Sequence, residues 1–357
     1  MKKNILISTG GSGGHVVPAT IFYEHLKKEY NIFISTDNRG INFLDKYKYN
    51  IEIFNTPKIS KNIFSLPVQF FSIIHLMIKS FFFLKRKKID IMISTGGYMS
   101  LPLCLASRFL KIKLFLFEPN MVLGRSNKIF TNSCIKIFSY SENIKNLPIK
   151  FKNKISLIPT LLRKEFYEYK KAIDLNKEIS LLIIGGSQGA KFFDEILTSV
   201  IIKVSKQLKI EIYQQVQDRN KKILIEEKYK NHNIKYKLFD FDENLHEKLY
   251  DYDLAITRSG ASAISELSQL CIPFIAIPFP FAKDNHQLYN AKIYENLNCC
   301  WIINQDKIEE ETFSSRIIQL FKEKHDYYMK KENLEKISNQ NTWNIVNKKL
   351  FNLINEN

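Results

Sequence analysis

Short apolar runs recur along the chain. Each ends in a polar or glycine-rich turn that leads into a longer stretch with helical spacing. In the first half the runs fall at 4–8, 31–35, 51–54, 90–94, 113–117, 135–138 and 155–158. Nearly continuous apolar runs separated by helix-length segments predict parallel strands, covered on both faces by crossover helices. Pro148 and Pro159 bracket a change of register, with a linker near 159–164. The pattern then restarts at 180–184, 210–215, 234–238, 253–257, 273–277 and 300–303. The fold class this predicts is α/β, with two doubly wound parallel sheets whose ligand edges lie at the strand C-termini. The basic, Asn-rich tail at 330–357 reads as one or two closing helices. The expected division is 1–162, 163–340 and a closing helix at 341–357.

The turn after the first strand of each half carries the clearest chemistry. Residues 4–18 read NILISTGGSGGHVVP and residues 180–190 read SLLIIGGSQGA. A strand that feeds glycines into a helix presents bare backbone N–H groups at a positive helix end, which suits phosphate. The first loop lacks G-x-G-x-x-G spacing, and Asp37 is the nearest acid for a ribose, so a dehydrogenase is disfavoured. His15 sits in the first helical turn. There the helix dipole disfavours imidazolium and leaves a neutral ring able to accept a proton; packing of the turn is the structural alternative. STGGYMSLP at 94–102 repeats the device, with Tyr98 at the strand end. FEPN at 117–120 adds Glu118 and Asn120 on the same edge.

In the second half, TRSGASAISELSQLCIPFIAIPFP at 257–280 opens a helix at Ser259-Gly260 and places Glu266 inside it. An ionised Glu can accept both hydrogen bonds of a ribose diol. In DNHQLYNA, 284–291, Gln287 and Asn290 share a helical face, and His286 and Gln287 can donate to sugar hydroxyls. The plain alternative is a helix capped by Asp284. Two D-x-D triplets, Asp240 to Asp242 and Asp251 to Asp253, flank a short helix. Such triplets can hold a metal on a diphosphate, but capping and surface roles suit this placement better. No metal and no cofactor is expected.

Charge changes the picture. Residues 1–160 carry 24 Lys+Arg against 8 Asp+Glu, a balance of +16, whereas the remainder of the +17 total, +1, falls on 161–357. One half therefore meets an anionic partner. The segment 58–88, KISKNIFSLPVQFFSIIHLMIKSFFFLKRKK, combines dense Phe, Ile and Leu with flanking lysines. Its stretch 63–84 admits three readings: a membrane span, an amphipathic membrane-surface element, or a buried crossover helix. Interleaved aromatics and lysines over a wider area, as nucleic acid would require, are missing, so no nucleic-acid partner is expected. The five cysteines show no CxxC spacing and no metal-like pairing with histidines, and the four-residue apolar run near the N-terminus is too short for a secretory signal, so none is expected.

Taken in order, GGSGGH, GGY, FEPN, GGSQGA, RSGAS-x-x-SE and HQ-x-x-NA resemble the MurG family of peptidoglycan glycosyltransferases over essentially the whole chain. The resemblance implies a GT-B fold, two Rossmann-like domains around a central cleft. It implies inverting transfer of GlcNAc from UDP-GlcNAc to the 4-hydroxyl of the muramyl sugar of lipid I, giving lipid II. The N-terminal domain would take the acceptor at the cytoplasmic face of the plasma membrane, docked peripherally on an anionic surface, and the C-terminal domain would hold the nucleotide. By the same resemblance Ser12, Gly13 and Gly14 line the phosphate region, with Tyr98 in the substrate-binding set. His15 is the candidate base; the position of Glu118 at its strand end, and not the resemblance, makes it the fallback. Asn120 contacts the GlcNAc, Arg163 and Ser187 the diphosphate, and Glu266 the ribose. Gln287 reaches the GlcNAc hydroxyls and Asp242 lies by the uracil, with Gln188, Ala261, Ser262 and His286 completing the donor set. A UDP-GlcNAc 2-epimerase, a GT-B transferase for another lipid such as diacylglycerol, and a non-catalytic nucleotide-sugar-binding subunit are the alternatives.

Overall fold

A computed structural model describes residues 2–56, 66–168, 178–185, 192–240 and 252–356. The chain divides into two compact units, residues 1–161 with 343–357, and residues 162–342. In the first unit the strands are β1 (Asn4–Ser8), β2 (Asn31–Thr36), β3 (Ile51–Ile53), β4 (Ile91–Ser94), β5 (Lys113–Glu118), β6 (Lys136–Ser139) and β7 (Ile155–Leu157). They form one sheet in the order β3-β2-β1-β4-β5-β6-β7, every pairing parallel. The helices are α1 (Gly13–Leu26), α2 (Leu66–Arg86), α3 (Leu101–Phe109) and α4 (Arg125–Phe130).

The second unit repeats the winding. Its strands β8 (Ile179–Ile184), β9 (Ile210–Gln215), β10 (Lys235–Phe239), β11 (Leu254–Thr257), β12 (Phe274–Ala276) and β13 (Cys300–Ile302) run parallel in the order β10-β9-β8-β11-β12-β13. Its helices are α5 (Thr198–Ser205), α6 (Arg219–Asn231), α7 (Ala261–Gln269), α8 (His286–Asn296), α9 (Glu310–Glu323) and α10 (His325–Gln340). Each strand lies within a residue or so of its expected position. Their central side chains, such as Leu6, Ile93, Phe115, Leu182 and Ile256, are fully buried, as strands covered on both faces require.

Both sheets reverse their winding at the first strand, and register decides what meets there. Ser8 pairs with Ser35 on one side and Ser94 on the other. The loops after β1, β2 and β4 therefore leave side by side, and this is where such folds take ligands. Thr257 likewise pairs with Ile184 and Ala276, gathering the loops after β8, β11 and β12.

The last helix, α11 (Trp343–Asn355), belongs to the first unit. Val346, Leu350 and Ile354 are buried, Trp343 stacks on His25 at 3.7 Å between ring centres, and Tyr30 donates to Asn355 Oδ1 at 2.9 Å. Of the segment 58–88, α2 leads directly to β4 and buries Phe83 and Leu84, while Phe71, Ile78 and Phe82 are exposed. Its described part is thus a crossover helix with an apolar outer face. Among the described residues no helix is long and apolar enough to cross a membrane. All five cysteines are buried thiols.

Candidate active site

In the first unit the loop GGSGG is held by a carboxylate from the neighbouring strand. Asp37, just past β2, accepts from the N–H groups of Gly11 and Gly40, each at 2.8 Å, and from Arg39 Nε at 2.8 Å. These bonds outweigh the cost of burial and hold its carboxyl below the usual range. Asp37, considered above as a ribose ligand, instead staples the loops after β1 and β2. Gly40 is required by packing, because a Cβ there would stand 2.2 Å from Thr36 Oγ1. Ser12 is the N-cap of α1 in extended conformation, and its side chain makes no capping bond. The first-turn amides, including those of Gly13 and Gly14, are those a helix cannot satisfy internally.

His15 lies against the turn after β4. Its Nδ1 is 2.8 Å from Thr95 O; a carbonyl only accepts, so Nδ1 carries the proton and Nε2 is the basic nitrogen. Gly96 and Gly97, at φ of +93° and +79°, make the slot: Cβ atoms there would lie 3.3 and 3.6 Å from the ring. Burial lowers the His15 pKa, against the raising effect of the Thr95 bond. Burial thus favours the neutral ring that the sequence leads one to expect. Tyr98 follows at once, under the Arg39 guanidinium at 5.9 Å.

The structure surrounds Glu118 with donors. It ends β5 fully enclosed, with Oε1 accepting from Asn120 N and Nδ2 at 3.3 and 3.2 Å, and Oε2 from Gly124 N and Asn127 Nδ2 at 2.7 and 3.0 Å. Burial raises its pKa against these bonds. Four donors occupy its two oxygens, so it shapes the loop that carries Asn120. Asn127, also bonded to Phe117 O at 3.0 Å, lies near Gly96 and links this loop to the His15 slot.

In the second unit, α7 starts at the N-cap Gly260, where no side-chain cap is present and a Cβ would meet nothing within 4 Å. Ala261 and Ser262 of its first turn are half-buried. Glu266 keeps some exposure, yet the surrounding protein pushes its carboxyl up to about 7, with Arg163 pulling the other way. Arg163 and Glu266 therefore belong to one electrostatic neighbourhood. Gln287 Oε1 accepts from Phe279 N at 2.9 Å and Asn290 Nδ2 donates to Ser259 O at 3.2 Å, so the shared face of α8 holds the loops after β12 and β11. The alternative, a cap of α8 by Asp284, is absent. Asp284 and Asn285 are both left-handed, the N-cap is Asn285, and no side chain caps the helix. His286 Nδ1 bonds Lys283 O at 2.9 Å, within its own turn. Ser187, Gln188 and Asp242 lie outside the described residues, as do most of GGSQGA and one member of each D-x-D triplet. Among the described residues no acid, histidine or cysteine cluster could hold a metal.

Arg258 was missed, although it stands in the quoted TRSG run. It is buried among Phe192, Phe193 and Phe279 and donates to Ile277 O at 3.0 Å and Gln305 Oε1 at 2.6 Å. Burial brings its pKa down to about 10, so it stays charged at neutral pH. A charged residue directly after a buried strand was the available signal.

Each unit thus offers phosphate-ready helix starts at the reversal point of its sheet, with a neutral imidazole in one and a carboxyl inside the open helix of the other. Residues 5–139 match the glycosyltransferase family 28 N-terminal domain and residues 180–342 the glycosyltransferase family 28 C-terminal domain. With a relative 51% identical over its full length, the chain belongs to glycosyltransferase family 28. That relative is the UDP-N-acetylglucosamine--N-acetylmuramyl-(pentapeptide) pyrophosphoryl-undecaprenol N-acetylglucosamine transferase of Pelagibacter ubique (strain HTCC1062), and 100% of both chains is covered. The crystal structure of Acinetobacter baumannii MurG is similar with a TM-score of 0.75 at 22% identity, over 100% of each chain. UDP-GlcNAc 2-epimerase from Neisseria meningitidis, bound to UDP-GlcNAc, gives 0.69 at 12%, over 99% and 100%. These two likenesses show the fold alone, the paired Rossmann-like halves of GT-B.

Proposed function

We propose that the protein transfers GlcNAc from UDP-GlcNAc to the 4-hydroxyl of the muramyl sugar in lipid I, with inversion, forming lipid II for peptidoglycan synthesis. The observation that carries this reading is the full-length 51% identity to the relative of that printed name. The epimerase shares the fold at 12% identity and so lends its activity no support.

The second unit holds the donor. The open start of α7 and Arg163 meet the diphosphate, Glu266 accepts from the ribose diol, and Gln287 meets the GlcNAc hydroxyls, with Ser187, Gln188, Ala261, Ser262, His286 and Asp242 completing the site. The first unit takes the acceptor, with its phosphates by Ser12, Gly13 and Gly14, near Tyr98. His15 Nε2 removes the proton of the attacking hydroxyl as the bond to the anomeric carbon forms and UDP departs. Asn120, presented by Glu118, contacts the sugar. The negative charge growing on UDP is met by oriented dipoles and Arg163.

The first unit docks peripherally on the cytoplasmic face of the membrane. Exposed Phe71, Ile78 and Phe82 on α2 and Phe109 on α3 form its apolar face, with Lys85 to Lys88 alongside. Cell-shape and division phenotypes follow from loss of lipid II. Labelled UDP-GlcNAc offered with lipid I, diacylglycerol or no lipid tests the reading. Label on lipid I alone is expected; label on diacylglycerol, or UDP-sugar isomerised without acceptor, contradicts it.

A further inference from the structure

The proposed proton transfer and donor site leave Arg39 without a role, yet its guanidinium is fixed over the first glycine loop. Its Nε is bonded to Asp37 Oδ2 at 2.8 Å, and the Oδ1 atom of the same carboxylate is held by Gly11 N and Gly40 N. The side chain is therefore anchored to the backbone it overlies. Its Nη2 stands 3.5 Å from where a Gly11 Cβ would be, with Gly11 at φ +88°. The Tyr98 ring centre lies 5.9 Å from the guanidinium and its side chain also interacts with it, while 47% of the Arg39 side chain remains exposed.

We propose that Arg39 binds the diphosphate of the lipid acceptor at this loop; the proposal rests on the reading of the first unit as acceptor-binding. A guanidinium anchored through Nε keeps its outer edge for an oxyanion, and the planar fork suits phosphate oxygens. Asp37 shares its charge with two backbone amides, so the pair does not cancel the positive field over the loop. Glycine at position 11 lets a ligand approach both the amides and the guanidinium, because any side chain would fill the space beside Nη2. The proposed ligand is a diphosphate monoester or diester, whatever its lipid.

Steady-state kinetics on wild type, R39A and R39K, with lipid I and UDP-GlcNAc varied separately, test this. R39A should raise the lipid I KM by about 10- to 100-fold, as loss of a charge-assisted contact does, with the UDP-GlcNAc KM within about twofold. R39K should recover part of the loss, and inorganic pyrophosphate, competing against lipid I, should weaken in R39A. An unchanged lipid I KM overturns the proposal. So does a parallel rise of both KM values with a lowered melting temperature, which would make Arg39 a brace for the loop. R39K, which keeps the charge, serves if R39A does not fold. Wild-type protein that leaves lipid I unmodified overturns the acceptor reading itself, an outcome distinct from a normal wild type with an unaffected R39A.

Discussion

His15 and Glu266 carry the account at the scale of single residues, through opposite titration behaviour. Burial favours neutral His15, so the acidic limb of kcat/KM should lie below the ordinary histidine value of 6.5. His15→Ala should remove that limb and lower kcat by ~10²–10⁴-fold while UDP-GlcNAc binding stays the same. Near-normal turnover in that variant would make the ring a packing group. Glu266 is raised to about 7 without ligand, whereas a ribose diol needs the carboxylate. Donor affinity should therefore rise with pH through about 7 and level off above it. Calorimetric titration of UDP-GlcNAc across that range should lose the slope in Glu266→Gln. In Glu266→Ala the loss of a charged acceptor should weaken donor binding by ~1.5–3 kcal/mol. Affinity independent of pH in the native enzyme would place the ribose elsewhere.

At the scale of elements, the strands were legible because continuous apolar runs of strand length have few other fates, and the glycine turns because they sit between strand and helix. The partners of those turns were not. The Asp37 bond to Gly11 and the packing of Arg258 join residues that the sheet order brings together, and the Asn127 bond to Glu118 closes the irregular loop after β5. Local spacing therefore made Asp37 the nearest acid for a ribose and Glu118 the fallback to His15 as base. The return of α11 to the first unit was equally hidden, since a basic amphipathic tail does not say which face it covers. Leu350 is fully buried there, and Leu350→Ala should cost about 2–5 kcal/mol in chemical unfolding of the first unit. Beside it, burial lowers His25 to about 4, with Asn347 and Glu24 opposing. The unfolded chain thus binds a proton that the folded one refuses. Stability should fall as pH drops from 6.5 towards about 4 and change little above 6.5. A His25→Phe variant, which can keep the stack on Trp343, should unfold with a shallower pH dependence over that interval.

For the whole molecule, charge and apolar surface act together. A first half at +16 with exposed Phe71, Ile78, Phe82 and Phe109 should bind anionic vesicles reversibly, the Lys85 to Lys88 cluster adding ~1 kcal/mol per basic residue at low salt. Co-sedimentation should weaken with salt and with Phe82→Asp; protein retained through carbonate washing would indicate insertion. With Arg163 and helix starts proposed to meet the diphosphate, turnover should also survive EDTA, and rescue by Mn²⁺ after chelation would assign a D-x-D triplet to a metal. The most direct test of the central claim is the product itself. Protein incubated with UDP-GlcNAc and lipid I should yield one added N-acetylhexosamine with stoichiometric UDP, and NMR of the isolated disaccharide should show a β linkage to the muramyl 4-hydroxyl. An α linkage, attachment at another hydroxyl, or an epimerised UDP-sugar with lipid I unchanged would contradict the account.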